Sequence, residues 1–191
     1  LAAELTHLLS KSVEARLMSD VPIGVLLSGG IDSSAVGHIA ANCSTDLKTF
    51  TLGFEERSFD ESQYARRVAR KLKSDHHSTR LTLSSALASL PELLMKMDEP
   101  LSDPSILPTY LICRLASSEV KVVLGGDGAD ELFAGYDTFS ALKMARIYDT
   151  IFPQRFKRGL KKVIDLLPLS NQNMSYDFKL RRATRGLQYT Q

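Results

Sequence analysis

The stretch Leu26-Leu27-Ser28-Gly29-Gly30-Ile31-Asp32-Ser33-Ser34 decides the fold of this chain. A short apolar run, Val21 to Leu27, leads into it, and a helix-compatible segment, Ser33 to Asn42, follows it. Two adjacent glycines let a backbone turn sharply and approach a ligand closely. The free N–H groups of the loop and of the first helical turn then point towards one spot, which suits an anion. We therefore predict a strand, a glycine loop and a helix, with an anion site where they meet.

Asp32 is unexpected in a loop that is suited to an anion. A carboxylate beside a phosphate is stabilised when Mg²⁺ lies between them, so the acid indicates a site for a metal–nucleotide complex. Ser28, Ser33 and Ser34 add short hydroxyl donors at the rim. The loop is neither a Walker A loop, which needs Gly-Lys-Ser/Thr, nor a Gly-x-Gly-x-x-Gly dinucleotide loop. The alternative is a plain strand-to-helix turn in which Asp32 is the N-cap.

A second glycine-rich stretch, Gly125-Gly126-Asp127-Gly128-Ala129-Asp130-Glu131, has the same layout. It follows the apolar run Val120 to Leu124 and precedes a helix-compatible segment. Parallel strands deliver their loops to the same edge of a sheet, so Asp32 and Asp130 are predicted to meet there as ligands of Mg²⁺. The alternative is that the acids of the stretch only stabilise a helix N-terminus.

Strands and helices alternate over the first two thirds of the chain. The predicted strands are 21–27, 47–52, 77–83 and 120–124. The predicted helices are 2–18, 33–42, one that includes 64–72, 84–97 and 106–116. This alternation predicts an α/β fold with a mainly parallel, Rossmann-like sheet and helices on both faces. From about Tyr136 the pattern is helical only, with candidates at 139–151, 155–166 and 175–185. We therefore predict an α/β core over residues 1–136 and a helical extension over 137–191.

Three local patterns add detail to this outline. Ser58 and Glu61 have the spacing of a capping box for the helix that contains Tyr64. Pro91 is expected to interrupt the helix 84–97. The adjacent pair His76-His77 begins a strand, so the two rings point to opposite faces and make a poor metal pair.

Composition restricts the class of protein. The chain has 191 residues, of which 43% are hydrophobic and 24% charged, as is usual for a globular domain. No apolar run is long enough to span a membrane, and the start of the chain lacks the basic region and cleavage site of a signal peptide. Cys43 and Cys113 have no metal-ligand or disulfide-framework spacing, which favours a reducing cytoplasm.

The net charge of +2 conceals a basic C-terminal stretch. Residues 151–191 contain nine basic and two acidic side chains. Such a stretch is one signature of nucleic-acid binding. The basic residues are interleaved with apolar ones, which favours solvated helix faces, so nucleic acid is not an expected partner.

The two glycine motifs, with Asp98-Glu99-Pro100-Leu101-Ser102-Asp103-Pro104 between them, resemble a known family. The first motif is similar to the SGGxDS loop of the PP-loop ATP pyrophosphatases, whose fold is of the adenine nucleotide alpha hydrolase type. All three together resemble the C-terminal synthetase domain of the glutamine-hydrolysing asparagine synthetases. The resemblance covers residues 2–150 and implies that residues 1–136 are a PP-loop ATP-binding core.

The resemblance implies roles for individual residues. The residues implied to bind ATP are Leu27, Ser28, Gly29, Gly30, Asp32, Ser33, Leu52, Gly125 and Gly126. Those implied to bind Mg²⁺ are Asp32 and Asp130. Those implied to act on the acceptor are Glu99, Asp103 and Asp127. Gly125 and Ala129 depart from the family pattern, which has serine at the first position and glycine or serine at the second.

The activity that the resemblance implies is adenylation of the β-carboxylate of L-aspartate by ATP with Mg²⁺. Ammonia then attacks to give asparagine, AMP and pyrophosphate. In the family, ammonia comes from a glutaminase domain with an N-terminal cysteine nucleophile. Neither Cys43 nor Cys113 matches that cysteine. The alternatives are amidation of another carboxylate in a polysaccharide or natural-product pathway, or a non-catalytic nucleotide-binding module. The resemblance is also compatible with a homodimer.

Overall fold

The computed structural model of the chain describes residues 1–136 and 139. Its helices are α1 (Ala2–Leu17), α2 (Ile31–Cys43), α3 (Ser62–Leu72), α4 (Leu83–Met95), α5 (Ile106–Ser117) and α6 (Ala129–Phe133). Its strands are β1 (Ile23–Leu26), β2 (Lys48–Phe54), β3 (Asp75–Leu81) and β4 (Val122–Leu124). The alternation of strands and helices predicted from the sequence is confirmed over this part of the chain.

The four strands form one parallel sheet in the order β3-β2-β1-β4. The chain moves outward in one direction from β1 through β2 to β3, and then returns to place β4 on the other side of β1. In the register of the two pairs that contain β1, Leu26 lies beside Phe50 of β2, and Val25 lies beside Leu124 of β4. The reversal of strand order therefore falls between β1 and β4. In open α/β sheets such a switch point creates a crevice beyond the carboxyl ends of the strands.

Side chains along β1 alternate between the two faces of the sheet. Val25 joins a buried cluster formed with α1 and α2, and Leu27, just after the strand, joins one formed with α3. Leu26 packs on the opposite face, with Phe50 and side chains of α5. Helices therefore cover both faces of the sheet, as predicted.

Two local predictions are wrong. Pro91 does not interrupt its helix, since α4 runs unbroken from Leu83 to Met95. Ser89 and Leu93 on either side of the proline are buried, and their packing holds this part of the helix in place.

The capping box of α4 is formed by Thr82 and Ser85, whose side chains each bond to the backbone N–H of the other residue.

The predicted capping box at Ser58 and Glu61 is also wrong, because α3 begins only at Ser62. Glu61 is the N-cap and has no side-chain cap hydrogen bond. The N–H of Ser62 donates instead to Oδ1 of Asp60, over 3.2 Å. The first amide of α3 is therefore bound by Asp60, and not by the Ser58–Glu61 pair that the spacing predicts.

The chain divides into two compact units, Leu1–Asp127 and Gly128–Gln191. All four strands and helices α1 to α5 belong to the first unit, and α6 belongs to the second. Of the three predicted C-terminal helices, only Phe139 lies among the described residues, so those predictions fall outside them. No helix in the described part of the chain is long and apolar enough to cross a membrane.

An ion-pair cluster lies at the amino ends of β2 and β3, opposite the crevice. Nζ of Lys48 lies 2.6 Å from Oε2 of Glu119 and 3.7 Å from Oδ2 of Asp75. The same Asp75 oxygen lies 2.9 Å from Nε2 of His77. The cluster joins β2, β3 and the turn before β4.

The cluster makes stability depend on pH in a defined direction. The hydrogen bond from Lys48 holds the pKa of Glu119 below its ordinary value of 4.5. The carboxylate therefore stabilises the fold above about pH 4.5, and this contribution is lost as pH falls through the lower folded-state pKa. We expect Glu119→Gln to be less stable than the wild type at about pH 6, and the difference to shrink as the pH falls from about 4.5 towards 3. Urea titrations at both values measure the difference, and an equal difference at both would contradict this assignment.

The backbone of Gly24 lies directly under the ring of Phe50. A methyl group at Gly24 would lie 2.5 Å from Cε2 of this fully buried ring. We expect Gly24→Ala to lower the free energy of unfolding by about 2 kcal/mol, because the ring has no free space to move into.

Gly37→Ala, in the middle of α2, is the matched control for this prediction. Its added methyl group would lie 3.1 Å from Cδ1 of Leu72, the mobile end of a side chain, and alanine favours a helix by about 1 kcal/mol. The control is expected to be as stable as the wild type or more so in urea titrations. A Gly24→Ala protein as stable as the control would overturn this account of the core.

Candidate nucleotide-binding site

The first glycine loop begins at Leu27, which is held by hydrogen bonds of its backbone and by burial of its side chain. The N–H of Leu27 donates to the carbonyl of Phe50 over 2.8 Å, and the hydroxyl of Thr51 donates to the carbonyl of Leu27. The Leu27 side chain is 1% exposed. Leu27 therefore anchors the base of the loop, and its implied contact with adenosine stays a prediction. Thr51 does not stand out in the sequence, because its only signal is its place in the strand next to β1.

Hydrogen bonds between serines hold the loop in its turn. The N–H of Ser28 donates to Oγ of Ser33 over 3.2 Å, and the N–H of Gly30 donates to Oγ of Ser28 over 3.1 Å. The two serine oxygens lie 2.9 Å apart. When Ser33 donates this bond, the hydroxyl hydrogen of the exposed Ser28 is free for a ligand. Ser33 is only 8% exposed, so it shapes the loop from inside.

The loop runs directly into α2, of which Gly30 is the N-cap. The N–H of Ser34 donates to the carbonyl of Gly30 over 3.1 Å and closes the first turn. The three preceding helical N–H groups, at residues 31–33, have no partner within the helix and are available to an anion. Asp32 is therefore inside the first turn and is not the N-cap, so the plain-turn alternative is wrong in its geometry.

Gly29 has its backbone pressed against the beginning of α3. Its φ of 86° lies in the left-handed region that favours glycine. A methyl group there would lie 2.6 Å from the carbonyl carbon of Tyr64 and would also meet the backbone nitrogen of Ala65. The loop thus rests on the first turn of a second helix. The sequence offered no sign of this contact beyond the glycine itself.

The second glycine loop touches the first at the switch point. A methyl group at Gly126 would lie 2.7 Å from the backbone nitrogen of Ser33 and 3.0 Å from the carbonyl carbon of Asp32. The carboxylate of Asp127 lies over the neighbouring glycine, since a methyl group at Gly125 would lie 2.6 Å from its Oδ2. The two loops therefore meet at one edge of the sheet, as predicted, over the residues as far as Asp127.

Asp32 and its surroundings fit Mg²⁺ only as part of a nucleotide complex. Its carboxylate is exposed at the start of α2, next to the free N–H groups. No group of three or more His, Cys, Asp or Glu side chains that could hold a metal occurs among the described residues. Mg²⁺ is usually held by one or two carboxylates together with substrate phosphates, which is compatible with this donor set.

Asp130, the other implied metal ligand, lies on α6 in the second unit. Its carboxylate lies against Gly135, where a methyl group would collide with Oδ1. The hydroxyl of Tyr136 donates to Oε1 of Glu131 in the same short segment. The convergence of Asp130 with Asp32 stays a prediction.

The remaining implied residues lie on β2 and on the segment between α4 and α5. Leu52 is half-buried near the carboxyl end of β2, beside Thr79 of β3. Glu99 and Asp103 are exposed. Oδ1 of Asp103 accepts the N–H of Ser105 over 2.8 Å, and this hydrogen bond holds the pKa of Asp103 below its ordinary range. Their approach to a ligand stays a prediction.

Comparison with known proteins gives one family. The model of the asparagine synthase family matches residues 4–190. A Mycobacterium tuberculosis protein that carries a provisional glutamine-hydrolysing asparagine synthetase name is 38% identical over 165 residues, which are 86% of this chain and 25% of that protein. Glutamine-hydrolysing asparagine synthetase 1 of Bacillus subtilis is 35% identical over 168 residues, which are 88% of this chain and 26% of that protein. The chain thus spans about a quarter of the length of these curated relatives.

A solved structure shares the fold. NMN synthetase from Francisella tularensis superposes with a TM-score of 0.51 at 19% sequence identity, over 70% of this chain and 58% of that one. At this level of identity the likeness concerns the fold alone.

The contact between the two glycine loops can be tested with neighbouring substitutions. Gly126→Ala places a methyl group against backbone atoms of α2, whereas Gly125→Ala meets only the mobile end of Asp127. We expect Gly126→Ala to push the loops apart and to increase amide hydrogen exchange in the first turn of α2 by about tenfold. Gly125→Ala is the control and should leave exchange there within about twofold of the wild type. Equal exchange in the two variants would show that the loops do not depend on this contact.

Proposed function

The chain belongs to the asparagine synthase family, and on that premise we propose that it is the ATP-binding part of an ATP-dependent ligase that makes an amide from a carboxylate and ammonia. The single observation that carries this proposal is the packing of Gly126 on the first turn of α2 at the switch point. It brings two glycine loops to one edge of a parallel sheet, where nucleotides bind in such folds. The preferred acceptor is the β-carboxylate of aspartate.

The pyrophosphate part of ATP binds at the first loop. The free N–H groups of residues 31–33 and the hydroxyl of Ser28 donate to phosphate oxygens, and the positive end of the α2 dipole adds to the attraction. Gly29 and Gly30 let the phosphates approach the backbone. Gly125, Gly126 and Leu52 border the α-phosphate and the adenosine, and the buried Leu27 holds the base of the loop beneath them.

The reaction is a transfer of the adenylyl group followed by acyl transfer. A carboxylate oxygen of aspartate attacks the α-phosphorus, the bond from that phosphorus to the bridging oxygen breaks, and pyrophosphate leaves. Ammonia then attacks the acyl carbon, loses a proton, and displaces AMP to leave asparagine. The donors of the first loop stabilise the charge that develops on the leaving pyrophosphate, which is their main contribution to the rate.

Asp32 and, in this proposal, Asp130 would hold Mg²⁺, which would neutralise the phosphate charge when bound. Asp127 directly follows Gly126 and is the acidic residue of the second loop proposed to face the acceptor. Its acid suits an ammonium-bearing acceptor such as aspartate or the incoming amine. Glu99 and Asp103 are proposed to read the acceptor from the segment between α4 and α5.

The full activity needs partners beyond this chain. We propose that a glutaminase domain supplies the ammonia, in keeping with the names of the relatives of which this chain spans about a quarter. Cys43 and Cys113 are both exposed and free, which supports a reducing compartment such as the cytoplasm. A homodimer stays a prediction.

Calorimetry of Mg·ATP binding to the chain tests the nucleotide site. We expect Asp32→Asn to raise the Kd for Mg·ATP by about tenfold and to reduce its dependence on Mg²⁺, because the variant loses one charged ligand. Asp20→Asn is the matched control, since Asp20 is exposed in the turn between α1 and β1. It should bind Mg·ATP as the wild type does.

Two results would contradict the nucleotide site. One is the absence of Mg·ATP binding both in this chain and in the protein at its full natural length. The other is an equal effect of the Asp32 and Asp20 substitutions. If ATP binds but aspartate and ammonium yield no asparagine while another carboxylate is amidated, the acceptor assignment is wrong and the ligase assignment stands.

A further inference from the structure

Asp60 joins the carboxyl end of β2 to the beginning of α3. Its Oδ1 accepts the N–H of Phe54, the last residue of the strand, over 3.3 Å. The same oxygen accepts the N–H of Ser62, the first residue of the helix, over 3.2 Å. One carboxylate oxygen therefore closes the loop 55–61 on itself and fixes the point from which α3 starts.

The surroundings of Asp60 are built to admit this carboxylate. A methyl group at Gly53 would lie 3.1 Å from Oδ1 of Asp60 and 3.3 Å from Cβ of Ser62. Ser62 is only 7% exposed. The partial burial of Asp60 raises the pKa of its carboxyl, but the hydrogen bonds from Ser62 and Phe54 together lower that pKa below its ordinary value. The group is therefore charged at neutral pH and holds its two amides as an acceptor.

The first turn of α3, which Asp60 fixes, is the surface on which the first glycine loop rests. Gly29 packs against the backbone of Tyr64 and Ala65, two and three residues after Ser62. Ala65 is fully buried and packs with Leu27, the anchor of the same loop. A displacement of the α3 N-terminus therefore reaches the loop through backbone contacts, with no flexible side chain between them.

We propose that Asp60 is a positioning residue for the pyrophosphate-binding loop, acting through the first turn of α3 on Gly29. The inference rests on the proposed function, because it concerns the site that holds the pyrophosphate part of ATP. It assigns a role in ligand binding to a residue that lies outside both glycine motifs. Asp60 touches no ligand and takes no part in the chemistry.

Inorganic pyrophosphate with Mg²⁺ and AMP are the two probes of this role, measured by calorimetry on the whole protein. Asp60→Ala removes the acceptor, so the loop loses its support and the Kd for pyrophosphate is expected to rise by about tenfold. AMP lacks the pyrophosphate group, so its Kd is expected to change by less than about twofold. If Asp60 only stabilised the fold, Asp60→Ala would not produce this difference between the changes in Kd for pyrophosphate and for AMP.

Thr82→Ala is the matched control, because it also removes a side-chain oxygen from a helix N-terminus. Oγ1 of Thr82 accepts the N–H of Ser85 in α4, which does not border the loop. Loss of such a cap destabilises a protein to a similar degree in each case. We expect the thermal midpoints of the two variants to fall together, while only Asp60→Ala weakens pyrophosphate binding.

Two further variants keep the test decisive if Asp60→Ala fails to fold. Asp60→Asn retains an acceptor oxygen in nearly the same shape and should restore pyrophosphate affinity to within about threefold of the wild type. Gly53→Ala crowds the carboxylate without removing it and should weaken pyrophosphate binding while AMP binding persists. If Asp60→Ala folds, unchanged pyrophosphate affinity in that variant, or an equal loss in Thr82→Ala, would overturn the inference. If it does not fold, unchanged pyrophosphate affinity in Gly53→Ala would overturn it.

The failure of this inference is distinguishable from a failure of the proposed function. If the wild-type protein binds neither Mg·ATP nor pyrophosphate, the nucleotide site itself is wrong. If the wild type binds both and the Asp60 variants follow the Thr82 control, the site stands and only the role of Asp60 is wrong.

Discussion

The rest of the site depends on one backbone contact, the packing of Gly126 on the amide of Ser33 at the switch point of the sheet. The contact is made to backbone atoms of α2, which no side-chain rotation can move, so the loop after β4 and the first turn of α2 are fixed relative to each other. The other side of the first loop is fixed in the same way, where Gly29 meets α3. A loop held between two helices presents its N–H groups without further ordering, which favours both anion binding and transition-state stabilisation.

The sequence was sufficient for the order of strands and helices, because their signals are local. The run Val21 to Leu27 and the helix after it are separated by two glycines that can belong to neither. The edge strand β3 was harder, and it begins at Asp75, two residues before the predicted start. Its first residues are polar, and they are held by partners distant in sequence: Thr49 bonds to His76, and Lys48 pairs with Asp75. A hydropathy pattern contains no information on such partners.

The sequence predicts the residues of the candidate site whose type itself indicates ligand binding. It does not predict the residues that hold the glycine loop in position. Ser28, Asp32 and Gly126 stand out because glycines and acids at strand ends have few other uses. Thr51 and Asp60 do not stand out, since a threonine in a strand and an aspartate in a turn are ordinary. The Ser58–Glu61 spacing even indicated the wrong cap for α3. Only the fold shows that the start of this helix supports the loop.

The position at which ATP is cleaved tests the central claim most directly. The protein at its full natural length, supplied with ATP, Mg²⁺, aspartate and ammonium, would be sampled for nucleotide products by chromatography. Cleavage between the α- and β-phosphates, with AMP and pyrophosphate formed in equal amounts and only when aspartate is present, is the result predicted by a pyrophosphate-binding loop beside an adenylated acceptor. Formation of ADP and inorganic phosphate would contradict it, because the first glycine loop would then hold the nucleotide in another register.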